Sequence, residues 1–111
     1  MLQIELHKKF KLNLSRVEIE SVLRMLLWYI YTREIPCRSI IELANIQRAI
    51  KLGQRLENRL FSMEKSKCKL TLNIQEASTI YSIMELLSSS ELGALDQVVV
   101  RKVNDMIYRG V

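Results

Sequence analysis

The sequence contains few of the residues on which catalytic and metal sites are usually built. Its 111 residues include one histidine, two cysteines, three glycines and one proline. The single histidine, His7, has no identifiable partner for general acid or base chemistry. The sequence has no Cys/His cluster, no His-Glu-x-x-His motif and no EF-hand spacing, and Gly53, Gly93 and Gly110 are too far apart for a glycine-rich phosphate loop. We therefore expect no enzyme activity, no metal and no cofactor.

Cysteine pairs and long apolar runs are also missing. Cys37 and Cys68 have no closely spaced partner, which argues against a disulfide framework and a zinc site. The longest apolar run, Met25–Tyr31, has seven residues, whereas a bilayer span needs roughly 20. The first residues lack the basic and apolar regions of a signal peptide. These absences predict a soluble, cytoplasmic protein with free thiols.

The composition indicates a small folded domain. Hydrophobic residues make up 49% of the chain, which is enough for a packed interior and argues against disorder. A length of 111 residues fits one compact domain covering residues 1–111. The net charge is +5, with +4 in residues 1–64 and +1 in residues 65–111. This balance permits an anionic partner without requiring one.

A short alternating pattern occurs twice. Residues 11–14 read Lys-Leu-Asn-Leu and residues 69–72 read Lys-Leu-Thr-Leu, at an offset of 58. Alternation with period two is typical of a strand with one buried face. In the first copy the apolar residues extend back towards the N-terminus, so residues 1–14 are predicted to form one long or bent strand. A hairpin is the alternative, because Lys8 interrupts the apolar row.

A capping box follows each predicted strand, and an apolar helical stripe follows each box. Ser15 with Glu18, and Asn73 with Glu76, match the cap-x-x-Glu pattern. The first stripe consists of Ile19, Val22, Leu23, Leu26 and Ile30. The second consists of Ala77, Ile80, Tyr81 and Met84, followed by Ser88. The first helix is predicted to end near residues 32–33, before Pro36, and the second within residues 88–90.

A further helix is predicted in each half. Residues 39–62 begin with another cap pattern, Ser39 with Glu42. The apolar face of this helix is predicted to carry Ile46, Ala49, Ile50, Leu56 and Leu60. Residues 91–108 carry Leu95, Val98, Val99, Val103, Met106 and Ile107. The β-branched run at residues 98–100 would also suit a strand, but the helical spacing favours a helix.

The predicted fold is therefore helix-dominated α+β. It consists of two β-α-α units, residues 1–64 and 65–111, related by an internal pseudo-repeat. A short antiparallel strand pair packs on about four helices. The second helices do not align at the offset of 58, so the pseudo-repeat is supported mainly over the strand and the first helix.

A basic stripe on the second predicted helix is the most suggestive polar feature. Its helical members are Arg48, Lys51, Arg55 and Arg59, at spacings of 3, 4 and 4, which place them on one edge of a helix. The following connection to the second strand adds Lys65, Lys67 and Lys69. These seven residues could follow a phosphate backbone. The alternative is a solvated helix face, since no aromatic residues are interleaved for base stacking.

Apolar residues outside the main stripe of the first helix suggest a second kind of function. Met25, Trp28 and Tyr29 either fill the intramolecular core or form a subunit interface, where Trp and Tyr are enriched. We predict a non-catalytic interaction or assembly protein that forms a homodimer. The alternative is a nucleic-acid-binding protein that uses the basic helix face. No membrane partner and no small-molecule substrate are expected.

Overall fold

The computed structural model describes residues 8–32, 39–62, 67–87 and 92–110. Within these ranges the chain forms two strands and four helices, in the order strand, helix, helix, repeated once. The elements are β1 (Phe10–Ser15), α1 (Arg16–Thr32), α2 (Ile40–Ser62), β2 (Lys67–Leu72), α3 (Ile74–Leu86) and α4 (Ala94–Gly110). The prediction of a helix-dominated α+β fold with an antiparallel strand pair is confirmed.

The two strands pair antiparallel in a register that follows their alternation. Phe10 lies opposite Leu72, Leu12 opposite Leu70, and Leu14 opposite the buried Cys68. All six of these side chains are buried. An isolated two-stranded ribbon is marginal in water, so the packing of helices against this apolar face stabilises it. The core lies between the ribbon and the helices, and α1 contacts the other three helices as well as β1.

The first strand is shorter than predicted. It begins at Phe10, and Lys8 and Lys9 precede it without strand pairing. The continuation of the predicted strand or hairpin towards the N-terminus falls on residues 1–7, which lie outside the described residues. The second strand has the predicted alternation, with Cys68, Leu70 and Leu72 buried.

Both predicted capping boxes are confirmed by their hydrogen bonds. The Glu18 amide donates to Ser15 Oγ at 3.3 Å, and the Ser15 amide donates to Glu18 Oε1 at 2.8 Å. The Glu76 amide donates to Asn73 Oδ1 at 2.8 Å, and the Asn73 amide donates to Glu76 Oε1 at 3.0 Å. Each box satisfies amides that the first turn of a helix leaves unpaired. The strand-to-helix junction is therefore formed in the same way in both halves.

The apolar stripes of α1 and α3 are confirmed except at one position. The buried members include Ile19, Val22, Leu23 and Leu26 in α1, and Ala77, Ile80 and Met84 in α3. Tyr81 was wrongly assigned to the core, because its side chain is 37% exposed, and Ile83 is buried instead. A hydrogen bond with Glu85 raises the pKa of the Tyr81 hydroxyl, which is consistent with a side chain at the surface. Ser88 lies outside the described residues, and α3 ends earlier than predicted, at Leu86.

The core face of α2 is rotated relative to the prediction. Ser39 Oγ accepts a hydrogen bond from the Glu42 amide at 3.2 Å, as the cap pattern predicted. The buried side chains of the helix are Ala49, Leu52 and Leu56, while Ile46 and Leu60 pack against the core from its edge. The assignment of Ile50 to the core was wrong, since it is 40% exposed. Helical spacing alone did not reveal that Leu52, rather than Ile50, is buried in the core.

The last helix forms as predicted, including its β-branched segment. Residues 98–100 lie within α4, so helical spacing prevails over β propensity. Val99, Val103 and Met106 are buried, and Ile107 packs against the core from its edge. Leu95 and Val98 were wrongly assigned to the core face, because they are 36% and 41% exposed. Both residues lie in the first two turns of α4.

Candidate nucleic-acid-binding surface

The outward side of the strand pair is polar and basic. In β1, Lys11 and Asn13 are exposed, and in β2 Lys67, Lys69 and Thr71 are exposed. We call these five residues the ribbon face. The register places Lys11 opposite Thr71, and Asn13 opposite Lys69. Neither strand contains a carboxylate, so the ribbon face carries three positive charges next to amide and hydroxyl groups.

A groove runs along β2 where it faces α2. The α2–β2 groove has a volume of about 370 Å³. Its lining residues are Arg55, Asn58, Arg59, Ser62, Lys69, Leu70 and Thr71. None of these residues is acidic, and six of the seven carry a polar side chain. The lining is therefore cationic or neutral, and the carboxylate of Glu76 lies beside it, paired with Arg55.

Intramolecular bonds orient the two arginines of this groove. Arg55 Nη2 donates to the Thr71 carbonyl oxygen at 2.7 Å, and its Nη1 lies 2.5 Å from Glu76 Oε2. Arg59 Nε donates to the Sγ of Cys68 at 2.9 Å. A guanidinium carries five N–H donors in a rigid fork, and these bonds use only some of them. The arginines are therefore positioned beside β2 while part of each guanidinium remains able to bind a ligand.

A second groove lies on the other edge of the ribbon, between α4 and β1. The α4–β1 groove has a volume of about 490 Å³. It is lined by Lys9, Phe10, Lys11, Leu12, Asn13, Lys102, Asp105, Met106 and Arg109. It is also rich in basic side chains, but it contains one carboxylate, that of Asp105. The ribbon is thus flanked on both edges by basic grooves.

The carboxylate of the first capping box is bound from the second half of the chain. Lys102 Nζ lies 2.7 Å from Glu18 Oε2 and 2.9 Å from Oε1. Burial by itself would raise the pKa of Glu18, but the hydrogen bonds from Lys102 and Ser15 outweigh it and hold the pKa below its ordinary value of 4.5. Glu18 is therefore ionised in the folded protein, and Lys102 of α4 is tied to the junction of β1 with α1.

Asp96 makes a similar link between α4 and α1. The buried hydroxyl of Ser21 donates to Asp96 Oδ1, Arg24 Nη2 lies 3.1 Å from the same oxygen, and the Gly93 amide donates to Oδ2 at 3.1 Å. Burial would raise the pKa of Asp96, but the bonds from Ser21 and Gly93 and the charge of Arg24 outweigh it and lower the pKa. The start of α4 is thereby held against α1.

Replacing Glu18 with glutamine is expected to lower the free energy of unfolding at neutral pH by about 1–3 kcal/mol, because the charge-assisted bonds to Lys102 are weakened. A carboxylate with a lowered pKa stabilises the fold above its ordinary pKa of 4.5, and this stabilisation is lost as the pH falls through the folded-state value. The difference between Glu18→Gln and the wild type should therefore shrink in acid.

Denaturant unfolding at a series of pH values measures this difference. Glu20→Gln is the matched control, since the Glu20 side chain is 53% exposed and lies 3.8 Å from Arg16, a surface pair worth little. If the stability gap between Glu18→Gln and the wild type stayed constant from neutral to acid pH, the assigned role of the Glu18 charge would be wrong.

The predicted basic stripe is divided in the structure. Arg55 and Arg59 lie in the α2–β2 groove with Lys69, and Lys67 lies on the ribbon face. Arg48 and Lys51 are exposed further back along α2 and do not line either groove. Lys65 lies outside the described residues. The structure therefore brings the C-terminal part of the stripe to the ribbon and leaves its N-terminal part away from it.

The sequence prediction missed several polar residues of this surface. Lys11 and Asn13 stand at the same places in the alternating segment 11–14 as Lys69 and Thr71 in the segment 69–72, so the alternation itself contained the signal. Lys102 and Arg109 could be found only by knowing that α4 packs beside β1. The partners are far apart in the chain, and periodicity within one segment carries no information about such contacts.

Two of the three predicted interface residues lie in the intramolecular core. Met25 and Tyr29 are each 5% exposed, and Trp28 is partly buried and packs against the core. Because α1 is contacted by three helices, its buried face extends beyond the main apolar stripe. The core alternative therefore applies to Met25 and Tyr29, and the predicted homodimer stays a prediction.

Other features bear less directly on this surface. His7 and Cys37 lie outside the described residues, and Cys68 is a buried free thiol. Across the described ranges, no group of three or more His, Cys, Asp or Glu side chains is placed to hold a metal ion. No helix within those ranges has both the length and the apolar character that crossing a membrane requires. Comparison of the chain with protein-family models, with curated proteins and with solved structures finds no match.

Proposed function

We propose that this protein binds double-stranded DNA through the ribbon face and the grooves at its two edges. The observation that carries the proposal is the ribbon face itself. Its register gathers three lysines, an asparagine and a threonine on one exposed surface whose strands contain no carboxylate. Lysines placed in this way neutralise phosphates and release counterions, which is the main source of affinity for nucleic acid.

The shape of this surface favours DNA over RNA duplexes. The major groove of B-form DNA, about 12 Å wide, admits a two-stranded ribbon. Each strand here has six residues, a length of about 20 Å. The major groove of A-form RNA is too deep and narrow to be read by side chains. Lysine can donate to guanine, asparagine can pair with adenine, and threonine can contact the thymine methyl group.

The same proposal includes an internal pseudo-repeat with a twofold axis through the ribbon. At the offset of 58, Leu12 corresponds to Leu70, and these two residues lie opposite each other. On either side of them, Lys11 faces Thr71 and Asn13 faces Lys69. At the offset of 58, Lys11 corresponds to Lys69 and Asn13 to Thr71, so a twofold rotation about the Leu12–Leu70 pair exchanges these two facing pairs. A register centred on one equivalent pair is what a twofold relation between the strands requires. DNA has the same symmetry at the centre of an inverted repeat.

The second helices support the pseudo-repeat at a different offset. At an offset of 47, the buried Leu52 and Leu56 of α2 correspond to the buried Val99 and Val103 of α4. The same offset aligns two basic residues, and each binds the capping-box glutamate of the other half. Arg55 binds Glu76, and Lys102 binds Glu18. The connections between the helices have the same length in both halves, so the change of offset by eleven residues reflects the longer α1 and the earlier start of α2.

A binding titration with a short mixed-sequence DNA duplex tests the proposal. The wild-type chain should bind the duplex at about 50 mM salt, and the affinity should fall steeply as salt is raised, because each neutralised phosphate contributes a slope of roughly −0.9 to log K against log salt. An RNA duplex of the same sequence should bind more weakly. Absence of DNA binding at low salt would contradict the proposal, and tighter binding of the RNA duplex would exclude the ribbon-in-major-groove arrangement.

A further inference from the structure

We infer that the two grooves are unequal phosphate-binding sites and that Asp105 makes the α4–β1 groove the weaker of the two. This inference rests on the proposed function, because it assigns a role to the grooves in binding the DNA backbone. A ribbon lying in the major groove has a phosphate backbone on each side. The structure provides one basic groove at each edge of the ribbon, one beside β2 and one beside β1.

Each lining residue of the α2–β2 groove corresponds to a lining residue of the α4–β1 groove. On the strand side, Lys69 and Thr71 correspond to Lys11 and Asn13 at the offset of 58. On the helix side, at the offset of 47, the pairs are Arg55 and Lys102, Asn58 and Asp105, Arg59 and Met106, and Ser62 and Arg109. The strand wall of the α4–β1 groove also contains Lys9 and Phe10, which have no counterpart in the other lining. The helix walls differ at all four positions, and they place the neutral Asn58 where the other groove has Asp105.

The helix wall of the α2–β2 groove consists of two arginines and two neutral polar residues, with Arg55 paired to Glu76. Arg55 and Arg59 are held beside β2 by their bonds to the Thr71 carbonyl and to Cys68. Asn58 and Ser62 are exposed and neutral; Asn58 contributes an amide donor, while the Ser62 hydroxyl donates to the Arg59 carbonyl oxygen. Preorganised guanidinium groups are well suited to phosphate, because they bind its oxygens with two parallel N–H donors and little further loss of freedom.

The helix wall of the α4–β1 groove is less favourable to an anion. Met106 has no donor and is buried. Asp105 is an acceptor whose side chain is 73% exposed, and it lies 3.8 Å from Arg109, the outermost base of this wall. Lys102 is bound to Glu18 as Arg55 is bound to Glu76, so this feature does not distinguish the two grooves. A phosphate here would be repelled by Asp105 and would compete with it for Arg109, whereas Asn58 at the corresponding place in the other groove carries no charge.

Unequal sites have a consequence for how the chain would sit on DNA. A protein with two identical halves binds a symmetric site equally well in either orientation. Here the backbone that contacts the α2–β2 groove would be held more strongly than the backbone that contacts the α4–β1 groove. The chain should therefore bind with a preferred orientation on a site whose two halves differ.

Exchanging the two corresponding residues tests the inference. Asp105→Asn should raise the affinity for a mixed-sequence DNA duplex by about three- to tenfold, and Asn58→Asp should lower it by a similar factor, because each changes one charge beside a phosphate. Both residues are exposed, so both variants should fold, which circular dichroism checks. The affinities should be measured at several salt concentrations. The affinity of Asp105→Asn is expected to fall more steeply with salt than the affinity of Asn58→Asp.

Two controls make the same charge changes elsewhere on α2. Gln47→Glu matches Asn58→Asp, because Gln47 is exposed, lines neither groove and lies about 16 Å from Asn58 along the helix. Glu57→Gln matches Asp105→Asn, and Glu57 lies beside Leu27 and Ile50. The controls should change the affinity for the DNA duplex by less than about twofold. If the wild type binds DNA but the groove variants behave like these controls, the inference about the grooves fails and the proposed function stands. If the wild type does not bind, the proposed function itself fails.

Discussion

Replacing both Lys11 and Lys69 with glutamate is expected to weaken binding of a DNA duplex by roughly 100-fold or more at low salt. The two residues lie on opposite strands of the ribbon face, one on each side of the Leu12–Leu70 pair. Each substitution removes a positive charge from the proposed contact surface and introduces a negative one. Both side chains are exposed, so the effect on the free energy of unfolding should be small, within about 0.5 kcal/mol for each.

A control with the same change of net charge distinguishes the ribbon from the remainder of the basic surface. Lys51→Glu with Arg101→Glu alters two exposed helical residues that do not line either groove. Lys51 also belongs to the basic helix stripe that the sequence singled out. If this control lost affinity as strongly as the ribbon variant, net charge or the helix stripe would carry the binding, and the ribbon face would be excluded as its principal site.

Replacing Leu52 with alanine is expected to lower the free energy of unfolding by about 2–5 kcal/mol, because a fully packed leucine is replaced by a cavity. Leu52 is 2% exposed, whereas Ile50, two residues earlier in α2, is 40% exposed. Ile50→Ala should cost less than about 1 kcal/mol, since much of that side chain already contacts water. Chemical denaturation of the two variants measures the difference directly.

This pair of substitutions tests the orientation of α2 about its own axis. The two residues are similar in size and lie in the middle of one long helix, so helix propensity and end effects contribute little to the comparison. Equal losses in the two variants, or a larger loss for Ile50→Ala, would mean that the helix presents a different face to the core. The correspondence of Leu52 with Val99, and with it the offset of 47 between α2 and α4, would then also be wrong.

Local features of the fold were predictable because the interactions that produce them are local. The alternation at residues 11–14 and 69–72 identified both strands, since burial of one face of a strand requires a period of two. The capping boxes at Ser15 and Asn73 located the starts of α1 and α3, because both partners of each bond lie within three residues of each other. The proline after α1 indicated where that helix ends.

The exact buried face of a helix was less predictable. The wrong assignments at Ile50 and Tyr81 involve residues next to truly buried ones, and the width of a helix's buried face depends on how many neighbours cover it. In α1, contact with three other helices extends the buried face to Met25 and Tyr29. Hydrophobicity and spacing describe which residues could be buried, but the number of packing partners determines which of them are.

The candidate site likewise combines features that the sequence indicated with features that only the tertiary structure determined. The amino-acid sequence by itself specified two basic, alternating strands, each followed by a capped helix. The basic residues that it singled out include four of the eight on the proposed surface, namely Arg55, Arg59, Lys67 and Lys69. Only the tertiary structure decided that Lys11 and Lys69 share one face, that Arg55 and Arg59 reach β2, and that Lys102 reaches Glu18. These contacts join residues between nine and 84 positions apart. The antiparallel register and the packing of α2 and α4 along the ribbon edges determine them, and a pattern within a single segment cannot encode such long-range geometry.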